Sequence, residues 1–461
     1  MTSAAFPEED CSCTTGRVLT EDFLRSADEQ LAATDELLAK SYPGDPGTRQ
    51  PVHTVYVPAD DFTPALPRAW GERALAAVAE DGLDELARRT APPGTDPRIL
   101  DTVVRAVERK LLTEPIEDLR IDFEDGFGDR PDAEEDGQAI AAARAVARAV
   151  RAGTAPPFIG IRFKSLEAPT RARALRTLDL FVSTIVRRGG LAEAGIGADG
   201  LPPGLVLTLP KVSTLEQVQV MVRACEQLEQ QLGLEAGRLR FEVQMETAPL
   251  ILGVDGRSPL GDVIHRTDGR VEALHYGTYD YSDSLQIPAA QQSMEHPAAD
   301  HAKAVMQVAV AGTGVRLSDG STNILPLGDA AQRRDAWDLH ARLVRRSLER
   351  GYYQGWDLHP AQLPTRFLAT YLFYLGGFDA AAARLRNYVE DLSSEVMDEP
   401  ATARALARFV HRGVRCGAID EDLLLGATGL DASALSALAH PRAAAPAPAS
   451  PALTAPGGSR P

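Results

Sequence analysis

The chain has 461 residues, 44% of them hydrophobic and 25% charged, which is enough apolar matter for at least one large core and excludes a disordered chain. Its net charge of -17 repels phosphate backbones and anionic lipid, so nucleic acid and membrane surfaces are not expected partners. Four cysteines (Cys11, Cys13, Cys225 and Cys416) cannot staple a chain of this size, and they point to a reducing, cytoplasmic setting.

The N-terminus is acidic rather than basic and then apolar, so no secretory signal is expected. Cys11 and Cys13 form a C-x-C in a polar leader without the second pair that a zinc site needs. Residues 1–50 read as a leader with one helix, Leu19–Lys40, ended by a Pro/Gly break. No apolar run approaches the ~18 residues of a membrane span.

Eight short β-rich runs follow in chain order. They are Val52–Pro58, Leu119–Phe123, Phe158–Phe163 and Leu205–Leu209, then Phe241–Met245, Ala273–Tyr276, a weak Val315–Leu317 and Gly355–Leu358. Helical stretches separate them, among them Asp136–Arg151, Leu215–Gln231 and Trp337–Arg350. Parallel strands need crossover helices, and eight such units over about 310 residues fit a closed (β/α)8 barrel better than an open sheet. The barrel is expected over residues 51–377. A helical extension is expected over 378–440, with segments Ala380–Val396 and Thr402–Gly413 at helical spacing. Packing or oligomer contact is its expected role, ahead of a lid, and a homo-oligomer is the expected assembly. Residues 441–461 are Ala/Pro-rich and are expected to be disordered.

Charged residues stand at the ends of these runs. Asp122, Glu124 and Asp125 close the second, Arg162 and Lys164 the third, and Lys211 the fourth. Glu246 and Thr247 close the fifth, Asp280 the sixth, Asp319 the seventh, and Asp357 and His359 the eighth. In a barrel all these ends meet at one face, which carries the chemistry. Glu246 and Asp280 lie on neighbouring strands, and two carboxylates held together call for a cation or a shared proton. A hard ion such as Mg2+, or Mn2+ in its place, suits two carboxylates, whereas structural zinc would need a His/Cys cluster. Arg162 offers a planar fork for a substrate carboxylate or for the Asp122–Asp125 acids. Lys211 would either stabilise developing negative charge or pair with an acid, and His359 would orient a ligand or hold the rim.

The segments IDFEDGFGDR, IGIRF, LTLPKV, VQMET, HYGTYDYSDSL and WDLHPAQLP, in this order, resemble the HpcH/HpaI aldolase and citrate lyase beta-subunit family of the pyruvate/phosphoenolpyruvate barrel superfamily. The resemblance implies a (β/α)8 barrel and Mg2+-dependent making or breaking of a carbon–carbon bond beside a carbonyl. It implies Glu246 and Asp280 as metal ligands and Arg162 as the binder of substrate carboxylate. By the same resemblance Asp122, Glu124 and Asp125 would line the site; from their strand-end positions Lys211 is expected in the catalytic set and Thr247 and His359 on the substrate. The expected substrate is a small oxo- or hydroxy-acid, free or as an acyl-CoA thioester. The chain departs from the family in reading Lys164 two residues after Arg162, where Asn is usual, which changes the surroundings of the carboxylate anchor. A malate synthase-like condensation, phosphoryl transfer and a non-catalytic binding barrel remain as alternatives, and no P-loop is visible.

Overall fold

Apolar residues at every second position of the short runs make each a strand with one face toward a helical layer and one face inward. The computed structural model describes residues 18–390 and 399–441. Its strands are β1 His53–Pro58, β2 Asp118–Asp122, β3 Phe158–Arg162, β4 Leu205–Leu209, β5 Phe241–Met245, β6 Val271–Tyr276, β7 Arg316–Ser318 and β8 Gly355–Asp357. All pair in parallel, in the order β7-β6-β5-β4-β3-β2-β1-β8. β7 and β8 meet through the bridge Ser318–Gln354, reinforced by Asp319 N–H to Gln354 O at 2.8 Å. The (β/α)8 barrel expected from the sequence is therefore present, with β7 and β8 the shortest strands.

The connecting helices begin where the sequence supplies caps. Asp329 accepts the N–H groups of Ala331 and Gln332 at the start of Ala330–Glu349. Thr214 and Gln217 form a capping box for Leu215–Leu232, which stops at the left-handed Gly233. One helix, Leu363–Val389, runs unbroken through position 378, and helices Pro400–Arg415, Glu421–Thr428 and Ala432–Ala439 follow. The chain divides into two units, Met1–Pro43 and Gly44–Pro461. Within the first lies the helix Glu21–Ser41, whose N-cap is Thr20 and which buries no residue. Cys11, Cys13, the segment 391–396 of the expected C-terminal helix and residues 442–461 lie outside the described residues. Among those described, no single helix is long and apolar enough to cross a membrane.

The barrel interior is ionic. Arg120 of β2 pairs with Asp118 through Nη1 and donates from Nη2 to Glu242 Oε2 at 2.8 Å and from Nε to Thr208 Oγ1 at 2.9 Å. His275 Nε2 reaches Glu242 Oε2 at 3.0 Å, and Thr54 donates to Asp118 at 2.8 Å. Gly160 is required beside this network, since a Cβ there would fall 1.6 Å from Val206 O.

A second buried cluster ties the barrel to its helices. Asp357 accepts from Arg366 Nη2 at 2.9 Å, and its carboxylate lies 2.7 Å from His53 Nδ1 and 3.1 Å from His340 Nε2. Burial opposes the charge of Asp357, yet Arg366 and the two histidines hold its carboxyl well below the usual range. A depressed carboxyl pKa stabilises the fold above the unfolded value of about 4, and that contribution is lost as pH falls through the folded value. Asp357→Ala leaves Arg366 buried without its counter-charge, so stability should drop by about 3–5 kcal/mol in urea unfolding at pH 7. The gap from the parent should shrink as the pH is lowered below about 4. Equal unfolding midpoints at pH 7 would contradict this role.

Candidate active site at the C-terminal mouth of the barrel

The period of two along β2 puts Asp122 on the inward face with Arg120, one layer nearer the C-terminal mouth. Both Asp122 oxygens are engaged, by Arg162 Nε and Nη2 at 2.7 Å each. They also accept the N–H groups of Glu124 at 3.0 Å and Gly126 at 2.9 Å, which folds the Glu124–Asp125 turn over the strand end. The Arg162 guanidinium lies 4.6 Å from the Tyr56 ring centroid, and its Nη1 is 3.3 Å from Glu124 Oε2. Asp122 thus takes the fork of Arg162, and Nη1 is the edge left toward the mouth.

Lys211, following Pro210 at the end of β4, has φ +50, a left-handed backbone that costs a non-glycine residue about 1 kcal/mol. In that conformation its backbone N–H reaches Glu246 Oε2 at 3.0 Å. Its ammonium lies 2.5 Å from Glu124 Oε1, 2.7 Å from Asp125 Oδ1 and 3.8 Å from Asp280 Oδ1. Burial works against the ammonium, but the acids around it raise its pKa, so it stays charged. One lysine therefore connects the acids of β2, β5 and β6. Thr247 is held away from this contact set by its bond to Val212 O at 2.7 Å.

Glu246 is 1% exposed and forms no ion pair among the described residues; the Lys211 N–H is its hydrogen-bond donor. Burial and then the charge of Asp280 push its carboxyl up to about 8, against the pull of Arg162. The Asp280 side chain, 42% exposed, is also raised, first by burial and then by Asp125, with Lys211 and Arg162 opposing. Arg162, Glu246 and Asp280 therefore feel one another's fields across a shared mouth. Two oxygen-donor carboxylates that both approach Lys211, one of them buried with no ion pair among the described residues, would suit a hard divalent ion that keeps most of its water. Among the described residues no group of three or more His, Cys, Asp or Glu side chains could hold a metal ion.

Other strand ends do not join the cluster. Asp319 is bound by Lys303 at 3.1 Å and Ser347 Oγ at 2.6 Å, and Asp357 by its histidines and Arg366, so both serve the surrounding helices. Lys164 donates to Gly128 O at 2.8 Å and pins the β2 loop rather than facing the mouth. His359 caps the 3-10 turn Pro360–Gln362 through Nδ1, with Arg73 Nη2 at 3.3 Å from Nε2, so its ring is held at the rim. Two inward residues escaped the strand-end reasoning. Tyr56 of β1 stacks on Arg162, and Gln244 of β5 donates to the Tyr56 hydroxyl at 3.3 Å while its Oε1 is buried without a partner. Their signal was the alternation along VHTVYVP and FEVQM, which places them one layer below the mouth.

Gly277 fixes Glu246 from below. A Cβ there would stand 2.4 Å from Glu246 Cγ, although the backbone φ of -98 suits any residue. Gly277→Ala should therefore lower stability by about 1–3 kcal/mol, the range for overpacking, read as a reduced urea midpoint. An unchanged midpoint would mean that Glu246 is free to move aside.

The fold has solved counterparts. A citrate lyase from Burkholderia xenovorans LB400 aligns over 82% of this chain and 95% of its own, at 16% identity and a TM-score of 0.54. At that identity the likeness is one of fold. A malate synthase from Haloferax volcanii in a magnesium/glyoxylate complex covers 85% of this chain and 97% of its own, at 14% identity and a TM-score of 0.46. The protein CitE from Mycobacterium tuberculosis, in complex with magnesium, acetoacetate and coenzyme A, covers 80% and 99%, at 14% identity and a TM-score of 0.44. Scores that low do not bear on the site. No curated protein matches the chain by sequence. A family model does match residues 31–443, nearly the whole described chain, and the protein belongs to that family, described as "Domain of unknown function (DUF6986)".

Proposed function

We propose that this protein is a Mg2+-dependent carbon–carbon lyase acting on a small oxo- or hydroxy-acid, free or as an acyl-CoA thioester. The observation that carries the reading is the gathering of Arg162, Lys211, Glu246 and Asp280 at one end of the barrel. Barrels of this kind do their chemistry at that end. The motif resemblance to the aldolase and citrate lyase beta-subunit family supports the same reaction class.

Glu246 and Asp280 would hold the ion, which when bound supplies Lewis acidity and a template beside the substrate carbonyl. Arg162 Nη1 would take one oxygen of the substrate carboxylate, oriented by the Asp122 fork and the Tyr56 ring. Cleavage sends the electron pair of the scissile bond into an enolate. The Lys211 ammonium, fixed among Glu124, Asp125 and Asp280, would stabilise that charge. The hydroxyl proton of the substrate must leave as the bond breaks. Asp122 is fully engaged by Arg162, so Glu124 or Asp125 would receive it and later return a proton to the enolate carbon. Thr247 and His359 would act by shaping the rim.

The test is a screen of oxo-acids, hydroxy-acids and their coenzyme A thioesters with Mg2+ or Mn2+. Cleavage products should appear only with metal. Glu246→Gln and Asp280→Asn should each weaken Mg2+ binding in calorimetry by about 100-fold or more, beyond what loss of an outer partner does. Full Mg2+ affinity in both variants would end the metal assignment, and product from acetyl-CoA plus glyoxylate alone would replace the lyase with a condensing enzyme. Lys211→Met should lower kcat about 100- to 1000-fold, the usual effect of removing one oxyanion donor, with KM changed far less. A KM effect alone would make Lys211 a binding residue.

A further inference from the structure

At the other end of the barrel the chain encloses a cavity of about 400 Å3. It lies against the N-terminal ends of the strands, where Val52 precedes β1 and Arg316 opens β7. Helix Pro400–Arg415 and the Gly312–Gly314 turn form its walls. Five strand residues at ~3.3 Å each separate it from the mouth by roughly 15 Å, so a substrate at the mouth does not reach it.

Its lining inverts the charge of the protein. Arg316, Arg408, Arg412 and Arg415 face one carboxylate, Asp45, in a chain whose net charge is -17. Arg412 takes that carboxylate at 3.0 Å and lies 4.2 Å from the Tyr353 ring centroid. Arg316 donates to the carbonyl of Arg49 at 3.3 Å and Arg408 to that of Ala439 at 3.0 Å, contacts that leave their charge uncompensated. Arg415 is exposed at the rim and has no carboxylate within ion-pair distance among the described residues. Like charges held together in this way raise the local potential. His411 registers it: burial, then His440, Arg415 and Arg412, push its imidazole down to about 4.

A second feature marks the same wall. His440 is 5% exposed and its Nδ1 has no hydrogen-bond partner; the nearest acid, Asp45 Oδ1, is 3.9 Å away. His440 lines the cavity, and in the tautomer protonated at Nδ1 that atom would be a donor for an oxyanion held there.

We infer that this cavity binds a compact multivalent oxyanion carrying at least two phosphate or carboxylate groups. Guanidinium forks match both groups in pairs of hydrogen bonds. A monovalent ion would leave most of the arginine charge uncompensated, and the volume sits at the small-molecule end of ligand pockets, about 300–1,000 Å3. The cavity is remote from the mouth, so its ligand is distinct from a substrate held there, and it would touch both the Pro400–Arg415 helix and the barrel floor.

The experiment is calorimetric titration of the full chain with inorganic pyrophosphate and, separately, citrate, in metal-free buffer at constant ionic strength. One-to-one binding is expected, and the tighter of the two anions identifies a phosphate-borne or a carboxylate-borne ligand. The double variant Arg408→Glu/Arg415→Glu changes two exposed side chains and should keep the parent urea midpoint while binding at least tenfold more weakly. Lys211→Met, which removes the ammonium at the mouth, should bind as the parent does, which separates this site from the mouth and from the fate of the lyase proposal. Absence of binding by both anions overturns the inference, as does parent-like affinity in the double variant or loss of binding in Lys211→Met.

Discussion

Charge sealed inside the barrel is the constraint on which the rest of this structure depends. Arg120 cannot be buried unless Asp118 and Glu242 accompany it, because an unpaired ion in that environment is far more costly than a paired one. The pairing uses side chains from β2 and β5, separated by two strands of the ring, with Thr208 of β4 bonded to Arg120 and His275 of β6 set 3.0 Å from Glu242. This fixes the relative height of four strands. Tyr56 and Gln244 rest on that layer and Arg162 rests on Tyr56, so the position of the mouth guanidinium is set from beneath.

The same rule, followed upward, explains the site. The deep interior layer pairs acid with base, and the layer above it is closed by the neutral Tyr56 and Gln244. At the mouth the balance fails: Glu124, Asp125, Glu246 and Asp280 share Lys211 and one edge of Arg162. Glu246 shows the deficit most clearly: it is buried, feels the charge of Asp280, and among the described residues forms no ion pair, its donor being a backbone N–H. The floor of the barrel has the opposite imbalance, with four arginines around one carboxylate. The two ends of one barrel thus carry opposite excess charge, and on this contrast the two proposed ligands rest.

Several residues show where the primary structure was legible and where it was not. The eight strands were readable because apolar runs punctuated by helices have few other solutions, and even the weak seventh and eighth runs proved to be strands. That Arg162, Lys211, Glu246 and Asp280 gather at one end of the barrel was readable because they sit at or just beyond strand ends, where the barrel rule makes distant positions neighbours. That rule could not tell Asp280, half open at the mouth, from Asp319 and Asp357, which turn to Lys303 and to Arg366. All three are acids at or beyond a strand end, and the difference lies in whether a helix supplies a cation, as it does for Asp319 and Asp357.

Local sequence determined the strand and helix pattern, the caps at Asp329 and Thr214 and the class of residue at each strand end, because periodicity and capping act over a few residues. Only the folded barrel decided partners. Tyr56 beneath Arg162, Asp122 across its fork, Lys211 among three acids and the arginines gathered under β7 are all contacts between segments far apart in the chain. The affinity of such groups for charge depends on what surrounds them once water is removed, and that is a property of packing in three dimensions rather than of order along the chain.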